Sequence, residues 1–168
     1  MTGVRAATEL PLLAKLSPSA ADARTTARAL VEAGVDVISA VNTMPALAMD
    51  RRGRRSLLGN VYGGLSGPAL KPVALRVVFE VAQAVKVPVV AAGGIASLDD
   101  ALDFLMAGAS AVQVGTAVFA DPALPVRLVD ELASWLAANG YGSHREIVGA
   151  ALPARRQKAS VKGAEYRP

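Results

Sequence analysis

Four short apolar runs alternate along this chain with segments of helical period, and that order restricts it to an α/β fold with a parallel sheet and helical crossovers. The runs cover residues 10–16, 35–41, 87–92 and 110–114. They are rich in Val, Ile, Leu and Ala and are bounded by Gly, Pro or Ser, as buried strands are. Between the first two, Ser19 with Asp22 three positions on reads as a capping box for a helix over residues 20–33, which Gly34 closes in the left-handed conformation. Pro72 marks the start of a second helix reaching Lys86, with Leu75, Val78, Phe79, Ala82 and Val85 on one stripe. Ser97 and Asp100 open a third, whose apolar face is Leu98, Ala101, Leu102, Leu105 and Met106 and which Gly108 stops. Asp121-Pro122 opens the last, with Leu128, Leu132, Trp135 and Leu136 on one side, and Asn139-Gly140 closes it.

Four parallel βα units make roughly half of a TIM (β/α)8 barrel, whose usual length is about 250 residues. The expected organisation is one half-barrel over residues 1–152, ending in an apolar patch at 147–152, and a basic tail over 153–168 that is expected to be disordered. A half-barrel leaves two strand edges and one face of its core open, so it requires a second copy or a missing partner half. Cys is absent and His144 is the single histidine. Disulfides, thiolate metal sites, cysteine nucleophiles and His-rich metal sites are thereby excluded within this sequence. No apolar run approaches the ~18 residues of a membrane span. The N-terminal stretch lacks the basic-then-apolar order of a secretion signal, so the expected compartment is the cytoplasm. Arg51, Arg52, Arg54 and Arg55, together with the basic tail, carry most of a formal charge of +4. Neither cluster is interleaved with aromatic residues, which argues against nucleic acid as a partner.

In a barrel the chemistry sits just beyond the C-terminal ends of the strands. After the third run comes Gly93-Gly94-Ile95, and after the fourth Gly115-Thr116. Both turns expose backbone N–H groups without side-chain obstruction, which suits a phosphate dianion. Lys15 interrupts an otherwise apolar strand, and an ammonium buried there needs an anion or strong acceptors, either in an ion pair of the barrel interior or from an electron-rich ligand. Asn42-Thr43 follows the second run, where the carboxamide offers donors and an acceptor to an amide or a carboxylate, or caps a turn. The connection over residues 42–71 is far longer than usual and ends in Gly63-Gly64-Leu65-Ser66-Gly67-Pro68, where the glycines allow a flat ligand to approach the backbone. The Gly-Lys-Ser/Thr ending of a P-loop is absent.

Taken in order, these motifs closely resemble the C-terminal half of dihydroorotate dehydrogenase: Ala14-Lys15-Leu16-Ser17-Pro18, Val41-Asn42-Thr43, residues 63–69 with Lys71-Pro72, Ala92-Gly93-Gly94-Ile95, and residues 108–112 with Gly115-Thr116. Met49-Asp50 with Arg54 looks most like the NAD-linked, two-subunit type B enzymes of the class 1 group. The resemblance implies an FMN site in which Lys15, Val41 and Gly67 lie along the flavin and Gly93, Gly94, Gly115 and Thr116 hold its phosphate. It implies Asn42 and Thr43 as contacts to the substrate pyrimidine, dihydroorotate or orotate, and an iron–sulfur/FAD electron-transfer subunit as partner. It also implies that the catalytic base, a Cys in class 1 enzymes, comes from the other half of the barrel, so no catalytic residue is expected here. Two other readings stand beside it: a non-catalytic half-barrel binding FMN or another phosphorylated metabolite, and the flavin domain of a dihydropyrimidine dehydrogenase.

Overall fold

A computed structural model describes residues 1–153; the expected disorder of the tail falls, from residue 154 on, outside the described residues. In chain order, α1 (Thr2–Ala6), β1 (Leu13–Leu16), α2 (Ala23–Glu32) and β2 (Val37–Ala40) come first. The long connection then folds into short strands β3 (Met44–Ala46), β4 (Met49–Asp50), β5 (Arg55–Ser56) and β6 (Gly63–Leu65). The pattern resumes with α3 (Lys71–Ala84), β7 (Val89–Ala92), α4 (Leu98–Met106), β8 (Ala111–Gln113) and α5 (Leu124–Ala138).

Strands β1, β2, β7 and β8 form one parallel sheet in that spatial order. Neighbours that follow one another along the chain, all parallel, are the arc of a (β/α)8 barrel rather than a doubly wound sheet. The arc is open, because no described strand pairs with the outer edge of β1 or of β8. Two antiparallel ribbons that the sequence pattern does not announce, β3 with β6 and β4 with β5, occupy the long connection. Among the described residues no helix is long and apolar enough to cross a membrane, and no group of His, Cys, Asp or Glu is placed to hold a metal.

Burial explains which side the helices take. On β1, Ala14 and Leu16 are buried while Leu13 and Lys15 are exposed, the period of two expected of a strand with one covered face. The covered face meets α2, α3 and α4 through a core that includes Ile38, Val77, Val78, Val81 and Phe104. Burying the Phe104 ring completely contributes about 1.5–3 kcal/mol. The helix stripes are turned slightly from the expected ones. On α3 the deepest residues are Ala74, Val77, Val78 and Val81, with Leu75, Phe79 and Ala82 only partly buried against the core. Leu132, Trp135 and Leu136 of α5 pack with Leu102, Leu105 and Ile147 in a satellite cluster.

Two expectations need correction. The cap of α2 is Asp22 and not Ser19: one carboxylate oxygen accepts from the amides of Arg24 (2.9 Å) and Thr25 (3.1 Å), and Ser17 Oγ takes the Ser19 amide at 3.2 Å. A carboxylate at the start of a helix satisfies more orphan donors than a hydroxyl and suits the positive end of the dipole. Lys15 is not buried and forms no ion pair with any described residue, because the face of β1 that carries it has no layer packed over it.

Lys71, at the first turn of α3, ties the helix layer together beside the third turn. Its ammonium lies 2.6 Å from Asp100 and 2.8 Å from Asp103, and these two hydrogen bonds raise its pKa. Burial pushes Asp100 upward, but Lys71, the Ala96 amide and Ser97 outweigh it and hold the carboxyl below its ordinary 3.8. A depressed carboxyl contributes stability that is complete above the unfolded value and is lost as the pH falls through the folded one. Asp100→Asn is therefore expected to cost about 1–2 kcal/mol at pH 7, measured by urea unfolding. The gap from the unsubstituted chain should close as the pH drops below 3.8.

Candidate functional site

The C-terminal ends of the four sheet strands open onto one cavity of about 870 Å³. Five separate stretches of chain supply its walls: Lys15 from β1, the segment after β2, Gly67 after β6, the turn after β7 and the turn after β8. Lys15, Val41, Asn42, Thr43, Gly67, Gly93, Gly94, Gly115 and Thr116 all line it, whereas Gly63 and Gly64 do not.

Beyond β2 the backbone is anchored on both sides. The Val41 amide donates to Ala92 O at 2.9 Å and the Asn42 amide to Leu16 O at 2.8 Å, so the segment is held between β7 and β1. Val41 itself is 2% exposed and packs as part of the floor. Asn42 Oδ1 accepts from the Thr43 amide at 2.9 Å, which leaves the side-chain NH2 as the group it offers to a ligand.

The glycines divide into those that serve packing and those that serve the cavity. A Cβ on Gly64 would strike the Thr43 hydroxyl, and one on Gly63 would lie 2.6 Å from Leu58 Cδ1. These two let the ribbon close on itself, so the approach of a flat ligand expected at this stretch falls to Gly67, which has φ +81° and open space where a Cβ would go. Gly94 has φ +79°, and a Cβ there would lie 2.8 Å from Gly67 O and from the backbone nitrogen and Cβ of Lys71. The third turn is thus seated directly on the first turn of α3, in the corner that the Lys71 ion pairs fasten. At Gly115 a Cβ would meet nothing within 4 Å and would enter the cavity.

The amides of Gly93, Gly94, Gly115 and Thr116 donate to no acceptor among the described residues. Free N–H groups on adjacent turns, with a hydroxyl from Thr116, form a donor set for an anion. Three further residues line the same wall, of which the sequence marks only Asp121, and that as a helix start. Arg127 of α5 is held by Asp121 at 2.5 Å and Glu131 at 3.3 Å. The Arg127 hydrogen bond keeps the Asp121 carboxyl below its ordinary range against a small opposing effect of burial. Gln113, at the end of β8, is the third. It could have been noticed as Lys15 was, as a polar residue within an apolar strand. Among the cavity's titratable groups, Lys15, Asp121 and Arg127, the carboxylate is tied in an ion pair, so none is a free general base.

A sequence profile of the family described as dihydroorotate dehydrogenase matches residues 1–136. The chain belongs to the dihydroorotate dehydrogenase family. It is 49% identical over 149 residues to the "Dihydroorotate dehydrogenase B (NAD(+)), catalytic subunit" of Geotalea uraniireducens (strain Rf4), covering 89% of this chain and 49% of that protein. The Geobacter metallireducens protein of the same name is 51% identical over 147 residues, 88% of this chain and 48% of its own. A Solibacter usitatus (strain Ellin6076) protein provisionally named a dihydroorotate dehydrogenase A (fumarate) is 47% identical over 149 residues, again 89% and 49%. The chain thus spans about half the length of the curated relatives it matches.

Within this chain the two kinds of glycine separate experimentally. Gly94→Ala should destabilise by at least about 1–2 kcal/mol, since it places a side chain at positive φ and against α3. Gly115→Ala should stay within about 0.5 kcal/mol of the unsubstituted chain. Chemical denaturation of the two variants side by side checks both.

Proposed function

We propose that this chain is the flavin- and substrate-binding half of a dihydroorotate dehydrogenase, residues 1–152 being the C-terminal half of a flavin-binding barrel. The complete enzyme oxidises dihydroorotate to orotate in pyrimidine biosynthesis. The observation that supports this best is the convergence of Lys15, the 41–43 segment, Gly67 and the two glycine turns on one cavity from five stretches of chain.

The residues present fit FMN. The free amides of Gly93, Gly94, Gly115 and Thr116 match a phosphate, and the space beside Gly115 that a Cβ would fill admits its oxygens. When bound, FMN supplies a hydride acceptor for the substrate carbon. Lys15 offers an ammonium with no counter-ion among the described residues, suited to the electron-accepting edge of the ring, where negative charge is stabilised by a fixed cation. The Asn42 NH2 and the Thr43 hydroxyl orient the pyrimidine through its carbonyl or carboxylate oxygens. The proton that leaves the substrate needs a base that this cavity does not provide, so the base belongs to the other half of the barrel. The names of the type B relatives favour NAD as the final acceptor, reached through an iron–sulfur/FAD electron-transfer subunit. The missing free base also keeps a second reading in play, a half-barrel that binds the phosphorylated ligand without turning it over.

The test is a titration of the purified chain with FMN, followed by flavin fluorescence and visible absorbance. Saturable binding is expected, weakened about 10–100-fold by Lys15→Ala or by Gly115→Asp, each of which removes or opposes a charge-assisted contact. Absence of binding by the folded chain would overturn the flavin reading. No dihydroorotate turnover is expected from this chain alone, and its appearance on adding the complementary half-barrel would decide against the non-catalytic alternative.

A further inference from the structure

Ser39 is the one buried polar side chain among the described residues, 1% exposed. It lies on the cavity side of β2, level with Lys15 of β1 and Val90 of β7. A hydroxyl in that position needs a partner, and it has one: Ser39 Oγ donates to Gln113 Oε1 at 3.2 Å. Gln113 belongs to β8, on the far side of β7, so its side chain reaches across β7, where the small Ala92 is its register partner.

This bond decides which way the carboxamide faces. With Oε1 taken by Ser39, the NH2 is the end left for the cavity that Gln113 lines, and no described residue accepts from it. Along β8 the free amides of Gly115 and Thr116 lie two to three residues further on, about 7–10 Å at a strand rise of 3.3 Å per residue. In the other direction Lys15 is three strands away, about 14 Å at 4.8 Å per strand. A ligand with its phosphate on the β8 turn and its ring beside Lys15 must cross the floor between them, where Gln113 lies. In FMN the part that makes this crossing is the ribityl chain, which carries hydroxyl groups.

We propose that Gln113 donates a hydrogen bond from its Nε2 to a ribityl hydroxyl of bound FMN, and that Ser39 is the positioning residue that keeps the carboxamide turned toward the ligand. The inference rests on the flavin reading of the cavity, and it adds a contact to the linker between the phosphate and ring subsites.

The experiment titrates the full chain with two probes, FMN and a flavin whose phosphate is joined to the ring by a plain pentyl chain. Gln113→Met keeps the length of the side chain and removes the NH2. It should weaken FMN about 3–10-fold, the effect of one neutral hydrogen bond, and leave the pentyl analogue unchanged. Gln113→Leu, which also removes the NH2 and adds no charge, serves if the Met variant does not fold, with the same contrast between probes. Ser39→Ala should give a smaller loss, also confined to FMN, which a purely structural role would not produce. Equal loss for both probes, or no loss for FMN, overturns the contact and leaves the flavin reading standing. Failure of the unsubstituted chain to bind either probe overturns the flavin reading and this inference with it.

Discussion

The structure depends on keeping one parity of side chains across four parallel strands. Register pairs Leu16 with Ala40, Ala40 with Ala91 and Ala91 with Val112, and that set faces the helices. The alternate set, Lys15, Ser39, Val90 and Ala111, faces the other way. A slip of one residue in a strand would exchange its two faces, and in β1 it would put an ammonium under α2. The cavity follows from this arrangement, because the inner face carries Lys15 and Gln113 and the strand ends carry the turns.

The helix layer answers the same constraint from outside. Glycine lets the β7 turn lie on the first turn of α3, while Lys71 reaches from that turn of α3 to two carboxylates of α4. Packing and charge thus meet at one corner, beside a row of N–H groups with no acceptor among the described residues. Leaving donors unpaired is costly in a core but harmless at a cavity mouth, where water or an anion can serve them.

Much of this was legible in the sequence because the signals are local. Apolar runs, Gly94 after β7, Gly115-Thr116 after β8 and the lone Lys15 each announce themselves within a few residues, and Lys15, Gly94, Gly115 and Thr116 all line the cavity. What was not legible depends on distance through space. Gly64 proved to accommodate Thr43 across the β3–β6 ribbon. The Ser39–Gln113 bond joins residues 74 apart in the chain, and no spacing rule connects them. Lys15 is exposed for the complementary reason: its strand pattern describes a closed interior, and the described arc is open on that side.

The two sheet edges that no described strand pairs have a consequence in terms of symmetry. The outer edges of β1 and β8 both run parallel, so a rotation axis along the strands could bring β8 of one chain beside β1 of a copy, twice over, with every pairing still parallel. A different half-barrel can close the same edges without any such axis. The two closures build similar walls but differ in arithmetic: a self-complementary barrel repeats this cavity, whereas a mixed barrel contains it once. The number of ligands held per closed barrel is therefore a direct count of the symmetry with which it closed.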